Sequence, residues 1–150
     1  MKTWLFTWNP SRWAWDSRYD GFLEMKNQIA QAGVSYRTWS CGNNKSIKKG
    51  DRIFLIRLGV APKGIVASGY AASNVFEGPH WDIEKDLHGK KCRRIFIEFD
   101  KIQDVAKDSI ISMDELLGIS PTYKWASQTS GIEIPNHMAE KLDILWKQII

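Results

Sequence analysis

Cysteine is scarce in this sequence, and what is missing around it limits the possible sites. Only Cys41 and Cys92 occur in 150 residues. No CxxC pair and no histidine at ligand spacing accompanies them, so the sequence excludes a disulfide framework and predicts no metal site. We therefore expect two free thiols, and neither a metal nor any other cofactor.

Long hydrophobic runs are also missing. No segment approaches the ~18 apolar residues of a transmembrane helix, and the start, Met1-Lys2-Thr3-Trp4, lacks the apolar region and cleavage site of a signal peptide. We expect a cytoplasmic protein without a membrane partner. Because no internal repeat, low-complexity tract or linker interrupts the chain, we also expect one domain over residues 1–150.

Tryptophan, by contrast, is abundant, with eight residues in the chain. Such large amphipathic rings are costly to leave exposed without a use, so we expect some in the core and some in a pocket. Trp4, Trp8 and Trp146 lie in apolar patterns and are predicted to be core residues. The pattern around Trp13 and Trp15 assigns them to neither group.

Positive charge is concentrated in two parts of the chain. The net charge is +4, and the clusters are Lys45, Lys48, Lys49 and Arg52, and then Lys85, Lys90, Lys91, Arg93 and Arg94. Such clusters are typical of proteins that bind an anionic partner such as nucleic acid. Hydrated surface charge is the alternative for each of these residues.

Short apolar or alternating segments predict the strands. They lie at 4–8, 36–40, 52–58, 64–73 and 93–100, with a short last strand before residue 136. The continuous run Ile53-Phe54-Leu55-Ile56 indicates a strand that is covered on both faces. The polar stretch 75–89 contains Gly and Pro and is predicted to be a long loop.

Apolar periodicity and capping residues predict three helices. The first follows the N-cap Asp20 and closes at Gly33, the second has Ser112 and Glu115 at capping-box spacing, and the third is capped by Asn136. Together these elements predict an α+β fold, with a small barrel of about five to six mostly antiparallel strands and flanking helices.

The segment 36–56 combines the features of a base-binding site. A strand carries Trp39 to its end, a polar loop and the basic turn Lys48-Lys49 follow, and a strongly apolar strand comes next. A flat aromatic face beside backbone amides and lysines can stack on a nucleobase and identify it. Core packing is the alternative explanation for Trp39.

Four motifs in this order resemble the EVE domains of the PUA-like superfamily. They are Tyr36-x-x-Trp39-Ser40-Cys41-Gly42-Asn43, Lys48-Lys49-Gly50-Asp51-Arg52-Ile53-Phe54-Leu55, Lys63-Gly64-Ile65-Val66-Ala67-Ser68-Gly69 and Trp125-x-x-Gln128-x-Ser130-Gly131. The same order is similar to the YTH domains that read methylated adenine in RNA. It is most similar to the EVE domains at the N-terminus of prokaryotic modification-dependent HNH endonucleases.

The resemblance implies a pseudo-barrel whose pocket accepts an extruded modified base in an aromatic cage. The pocket residues that it implies are Trp39, Ser40, Cys41, Trp81, Trp125, Gln128 and Asn9. The predicted phosphate-binding residues are Lys48, Lys49, Lys90, Lys91, Arg93, Arg94, Thr129 and Ser130. Packing against the protein remains the alternative for Trp81 and Trp125 as well, and insertion into a duplex is a further alternative for Trp81.

The resulting hypothesis is a module that flips a modified base, with modified cytosine in DNA as the favoured target, and directs a restriction or defence system. No nuclease motif is present, so we expect the chain to bind and not to cut, with an HNH nuclease as a fused or associated partner. Two alternatives remain open. One is an RNA-modification reader of YTH type, and the other is a nucleoside amidohydrolase similar to ASCH enzymes, with Asp51 or Glu98 as its carboxylate.

Overall fold

The computed structural model describes residues 1–12, 15 and 21–150. Trp13 and the predicted N-cap Asp20 lie outside the described residues. The described part of the chain forms eight strands and four helices. In chain order they are β1 (Thr3–Trp8), α1 (Phe22–Ala32), β2 (Ser35–Ser40), β3 (Arg52–Arg57), β4 (Gly64–Ala71), β5 (Phe76–Pro79), α2 (Ile83–Leu87), β6 (Lys91–Ile102), β7 (Ile111–Ser112), α3 (Met113–Ile119), β8 (Ile132–Ile134) and α4 (Asn136–Ile149).

The strands form one sheet with the order β2-β6-β4-β3-β1-β8, in which β5 also pairs with β6 and β7 with β4. The β1–β3 pairing is parallel and the other pairings are antiparallel. The predicted α+β class is thus confirmed. The predicted number of strands was too low, because β5 and β7 are too short to give a clear alternating pattern.

The stretch 75–89 is not the long loop that its polarity predicted. Residues Phe76–Pro79 pair with β6 as an outer strand, where Pro79 is tolerated because an edge position needs no N–H donor. Asp82 then caps α2, since its side chain accepts hydrogen bonds from the backbone N–H groups of Glu84 and Lys85. Pairing with β6 is a long-range contact, so local sequence did not reveal it.

Strand β3 is covered on both faces, as its apolar run predicted. Ile53 and Leu55 belong to the core inside the curved sheet, whereas Phe54 and Ile56 pack into a second core. Helices α3 and α4 cover that second core from outside, and Trp146 of α4 stands edge-on to Phe54 with 6.2 Å between ring centroids. The central strand therefore joins two hydrophobic layers.

Two of the predicted helix ends agree with the structure, and one differs. Gly33 ends α1 with φ of +84°, a left-handed conformation that glycine adopts readily. Ser112 and Glu115 form the predicted capping box of α3. At α4, however, Pro135 occupies the N-cap position, and no side chain caps the helix. Asn136 is therefore already the first helical residue.

The ends of β1 and β2 meet at one end of the curved sheet. The indole N–H of Trp39, near the end of β2, donates to the backbone oxygen of Thr7 in β1 at 3.2 Å. This contact brings together the residues that follow both strands. Among the described residues, no helix has both the length and the apolar character needed to cross a bilayer.

Candidate functional site

A cavity of about 800 Å³ opens where β1 and β2 end. This volume lies within the range of about 300–1,000 Å³ that is typical of ligand pockets. Below, we call the cavity the pocket. Its described lining residues are Thr7, Trp8, Asn9, Arg12, Thr38, Trp39, Ser40, Gly42, Asn43, Pro79, His80, Trp81, Lys85, Arg94, Gln128, Thr129 and Ser130.

Trp8 and Trp39 contribute to the pocket from within a buried aromatic cluster. They are only 8% and 5% exposed, and the ring of Trp15 lies edge-on to both, with centroid distances of 5.4 Å and 4.9 Å. Edge-to-face pairs at such distances hold aromatic rings in defined orientations. Core packing and pocket lining, the two interpretations of Trp39, therefore apply together.

The loop after Trp125 is fastened to β1 by hydrogen bonds. The backbone N–H of Thr7 donates to Ser130 Oγ at 3.0 Å, and Thr7 Oγ1 donates to the backbone oxygen of Ser127 at 2.9 Å. Asn9 Nδ2 donates to Gln128 Oε1 at 3.1 Å. These bonds hold an amide pair, Asn9 and Gln128, at the pocket wall, where amides can both donate to and accept from a ligand.

The turn after β2 packs tightly against the same loop. Gly42 has φ of +61°, and a Cβ atom at this position would lie 3.1 Å from the backbone oxygen of Ser130. Asn44 Nδ2 also donates to the backbone oxygen of Gly131 at 2.7 Å. Glycine at position 42 thus allows β2 and the loop to form one continuous wall.

Another part of the lining comes from the end of β5 and the residues that lead into α2. Two hydrogen bonds hold His80 in place. Its backbone N–H donates to Asp86 Oδ1 at 3.2 Å, and its ring Nδ1 accepts from the backbone N–H of Asp82 at 3.0 Å. The hydrogen bond from His80 and the nearby Lys91 lower the pKa of Asp86. Trp81 beside His80 is 50% exposed, so its ring is the most accessible indole surface among the described lining residues.

Positive charge dominates the described part of the lining. Arg94 binds Thr38 through Nε and Nη2 and the backbone oxygen of Pro79 through Nη1, at 3.2–3.3 Å. It therefore links β2, β5 and β6 while its charge faces the pocket. Arg12 and Lys85 also line it, and no carboxylate does so among the described residues. This arrangement suits a neutral or anionic ligand.

The structure brings eight of the predicted site residues together. They are Asn9, Trp39, Ser40, Trp81, Arg94, Gln128, Thr129 and Ser130. Sequence reasoning missed Thr7, Arg12, Thr38, Asn43, His80 and Lys85, and it assigned Trp8 to the core alone. The position of Trp8 directly before Asn9, at a strand end, was the available signal for this residue.

Trp125 does not line the pocket, contrary to the prediction. It is 1% exposed and belongs to the second core with α3 and α4. Its indole N–H donates to the backbone oxygen of Ser120 at 3.1 Å, and the ring of Tyr123 lies 4.6 Å from it. The Trp125 side chain therefore anchors the start of the loop that follows it, since a buried indole packs well where its N–H has a hydrogen-bond partner.

Cys41 is likewise absent from the pocket lining. Its side chain is fully buried, and burial raises the pKa of the thiol to about 11. A buried, neutral thiol is a weak nucleophile, so we assign Cys41 no reactive role. Both cysteines are free, as predicted.

Five of the predicted phosphate-binding residues lie away from the pocket lining. These are Lys48, Lys49, Lys90, Lys91 and Arg93. Lys91 pairs with Asp86 at 3.4 Å. The backbone N–H of Lys49 donates to Asn74 Oδ1 at 3.0 Å, which places the Lys48–Lys49 turn beside the end of β4. Their phosphate-binding role stays a prediction.

No family model and no curated protein matches this chain, but solved structures resemble it over nearly its whole length. One is the human THYN1 protein in complex with DNA containing 5-methylcytosine, with 15% identity, a TM-score of 0.63 and coverage of 97% of both chains. The fold is PUA-like.

Two further structures that resemble this chain are bacterial. A protein from Pseudomonas syringae is 15% identical, with a TM-score of 0.63 and coverage of 95% of this chain and 98% of the other. An ASCH protein from Zymomonas mobilis is 12% identical, with a TM-score of 0.55 and coverage of 96% of this chain and 95% of the other. At such identities the similarity concerns the fold.

Proposed function

We propose that this chain binds nucleic acid by accepting one modified base into the pocket, with modified cytosine in DNA as the favoured target. The observation that carries the proposal is the lining itself. Indole surfaces, an amide pair and three cationic side chains converge there without a described carboxylate. Bases stack on aromatic rings, and phosphates favour positive charge. The THYN1 structure adds a precedent for 5-methylcytosine DNA bound by this fold.

The energetics of base extrusion agree with this lining. Removing a base from a duplex costs a few kcal/mol, and stacking on an aromatic side chain returns about 1–3 kcal/mol. Trp81 offers the exposed ring for such stacking. The buried rings of Trp8 and Trp39 shape the floor, where the fit of one methyl group is worth about 1–3 kcal/mol. This supports moderate selectivity for a modified base.

Polar groups at the wall are suited to reading the base edge. Asn9 and Gln128 are fastened to each other, which limits their rotation and defines where their remaining donors and acceptors point. Ser40 also lines the pocket. In this proposal these three residues contact the base edge, while Arg94, Thr129 and Ser130 lie where the backbone of the strand enters.

The wider role that we propose is targeting within a restriction or defence system. The motif order around Trp39 and Gln128 resembles EVE domains that precede HNH nucleases. In this role the chain binds and does not cut, and an HNH nuclease, fused or associated, performs cleavage. Because the described residues contain no cluster of metal-ligating side chains, we assign no cleavage step to them.

The amidohydrolase alternative has less support from the pocket. Asp51 accepts hydrogen bonds from Trp4, Lys2 and Lys48 at a different place in the fold. Glu98 pairs with Tyr36 across the β2–β6 ladder, away from the lining. A hydrolase of this type needs a carboxylate near its lysine. Lys85 has no such partner among the described lining residues.

A binding titration tests the proposal directly. Matched oligonucleotides, as duplex DNA, single-stranded DNA and single-stranded RNA, would carry cytosine, 5-methylcytosine, 5-hydroxymethylcytosine, adenine or N6-methyladenine. We expect tighter binding of a modified cytosine in DNA. Preference for N6-methyladenine in RNA would instead support the YTH-type reader, and equal affinity for all probes would refute both. Release of a product from nucleosides would establish an enzyme.

Trp81→Ala is the variant that isolates the pocket. We expect weaker binding of the modified probe by about 1–3 kcal/mol, because the stacking surface is lost, and a smaller difference between modified and unmodified probes. Ile144→Ala is the control, since Ile144 is an exposed apolar residue of α4 outside the pocket. Unchanged binding by Trp81→Ala, measured on a protein with unchanged thermal unfolding, would contradict the role of the pocket.

A further inference from the structure

An aromatic surface remains uncovered on the outer face of the sheet. Helices α3 and α4 cover this face over β3, but exposed aromatic residues stand on the part formed by β2, β5 and β6. Phe96 is 45% exposed and Tyr36 is 53% exposed. The ring of Phe76 stacks on Phe96 with a centroid distance of 5.3 Å and an angle of 28° between the planes. We call these three residues the aromatic face.

Register places the aromatic face next to the pocket. On β6, Arg94 and Phe96 point to the same side because side chains alternate along a strand, and they are about 7 Å apart. Arg94 lines the pocket, and its partner across the ladder in β5 is Phe76. Thr38, another lining residue, lies opposite Phe96 in β2. The aromatic face thus begins where the pocket lining ends.

Positive charge flanks this surface on its β4 side. The backbone N–H of Phe96 donates to Ser73 Oγ at 3.0 Å, and the neighbouring Asn74 accepts from the N–H of Lys49 at 3.0 Å. The turn that carries Lys48 and Lys49 therefore lies beside the aromatic face. These are the lysines that sequence analysis assigned to phosphates and that the structure separates from the pocket.

Negative charge marks the far end of the surface. Glu98 lies opposite Tyr36 in β2 and Tyr70 in β4, and Asp100 follows it, bound to Arg52 at 3.3 Å. An anionic strand that leaves the pocket along β6 would therefore pass Arg94 and Phe96 and meet repulsion at Glu98. This limits the favourable path to a few residues beside the pocket. Tyr36, which lies opposite Glu98, is the last aromatic residue on that path.

We infer that the aromatic face binds the nucleotides that flank the base in the pocket, and that the preferred target is therefore single-stranded DNA, in which no base has to be extruded from a duplex. Stacked aromatic rings beside lysines are the elements of a platform for unpaired bases, because every base has a face that can stack on a ring. Paired bases of a duplex have no such free face. The inference rests on the proposed function, since it takes the pocket as the position of the central base.

Oligonucleotides of two lengths test this inference. Single-stranded DNA of nine nucleotides with a central 5-methylcytosine would be compared with the trinucleotide that has the same centre, and with the nine-base-pair duplex. We expect Phe96→Thr, which introduces a β-branched residue with high strand propensity, to weaken binding of the nine-mer about 10-fold. Binding of the trinucleotide, and the ratio between methylated and unmethylated nine-mers, should stay unchanged. Tyr36→Thr should act in the same direction.

The outcomes separate this inference from the proposed function. If Phe96→Thr weakens the nine-mer but no probe shows a preference for 5-methylcytosine, the aromatic face is supported and the pocket proposal fails. If 5-methylcytosine is preferred while Phe96→Thr and Tyr36→Thr, folded by circular dichroism, bind the nine-mer like the wild type, the inference is refuted. Tighter binding of the duplex than of the nine-mer would also refute it. The inference would likewise be refuted if the wild-type protein sedimented as a dimer and the Phe96→Thr protein as a monomer.

Discussion

Asp51 connects three parts of the chain through one buried carboxylate. It accepts hydrogen bonds from the indole N–H of Trp4 at 2.9 Å and from the backbone N–H groups of Lys48 and Lys2 at 3.0 Å and 3.2 Å. Burial acts to raise the pKa of Asp51, but the hydrogen bonds outweigh it and lower the pKa below 3.8. The ionised form is therefore favoured in the folded state.

Stability should depend on pH through Asp51. Because its folded pKa is lower than its unfolded pKa, the unfolded state binds the proton first as pH falls. The contribution is present above the unfolded value near 3.8 and is lost as pH falls through the folded pKa. We expect Asp51→Asn to lower the free energy of unfolding by about 1–3 kcal/mol at pH 7, because a buried donor loses its acceptor.

Urea unfolding at pH 7 and at roughly pH 3 measures this effect in both proteins. The difference in unfolding free energy between wild type and Asp51→Asn should shrink at the lower pH. Asp86 and Asp108 also have lowered pKa values, but they are present in both proteins, so their effect cancels. A difference that is the same at both pH values would contradict the role of Asp51.

At the scale of elements, β4 depends on a glycine where its pairing with β6 shifts. The register changes between Ser68 and Gly69, and a Cβ atom on Gly69 would lie 2.4 Å from the backbone oxygen of Glu98. Backbone atoms cannot move aside as a flexible side chain can. Glycine at this position thus allows β4 and β6 to stay in contact across the irregularity.

Two glycine substitutions should therefore have opposite effects. We expect Gly69→Ala to destabilise the protein by about 1–3 kcal/mol through overpacking. Gly118→Ala should stabilise it by about 0.5–1 kcal/mol, because Gly118 lies inside α3 with open space around its Cβ position. Denaturant midpoints of the two variants give the comparison. Equal midpoints would show that the contact with Glu98 is relieved by a shift in the backbone.

At the scale of the whole molecule, the net charge of +4 predicts that the proposed binding of nucleic acid weakens as the salt concentration rises, because contacts with phosphates release counterions. For single strands, the logarithm of the binding constant falls with the logarithm of salt concentration with a slope of about −0.7 per neutralised phosphate. Lys49, beside the aromatic face, is one predicted phosphate contact. Lys141 on α4 lines a separate groove between α3 and α4.

Lys49→Ala should make the dependence of the binding constant on salt less steep by about 0.7 for a single-stranded nine-mer. The ratio between the binding constants of modified and unmodified probes should stay unchanged. A phosphate contact carries no sequence information, which is why the ratio is unaffected. Titrations at several salt concentrations provide the slopes. Lys141→Ala is the control, because it removes the same single positive charge at a site outside the proposed interface. The same change of slope in both variants would mean that only net charge matters.

The sequence predicted those features of the fold that depend on local signals. Periodicity and capping are local, so they located β1, the alternating β6, the capping box at Ser112 and the α+β class. The sequence also predicted that Ile53–Ile56 are buried on both faces of the sheet, because a continuous apolar run requires cover on both faces. The single-domain organisation and the cytoplasmic location stay predictions.

Only the tertiary structure decided how the tryptophans and lysines are distributed. Trp39 and Trp125 both precede polar loops in the sequence, yet Trp39 reaches the pocket and Trp125 packs beneath α4. The short β5 places Phe76 on Phe96, and the Lys48–Lys49 turn lies beside them. These neighbours come from strand pairing across long stretches of chain. Local sequence encodes which side chains alternate along a strand, but not which strand lies next to it.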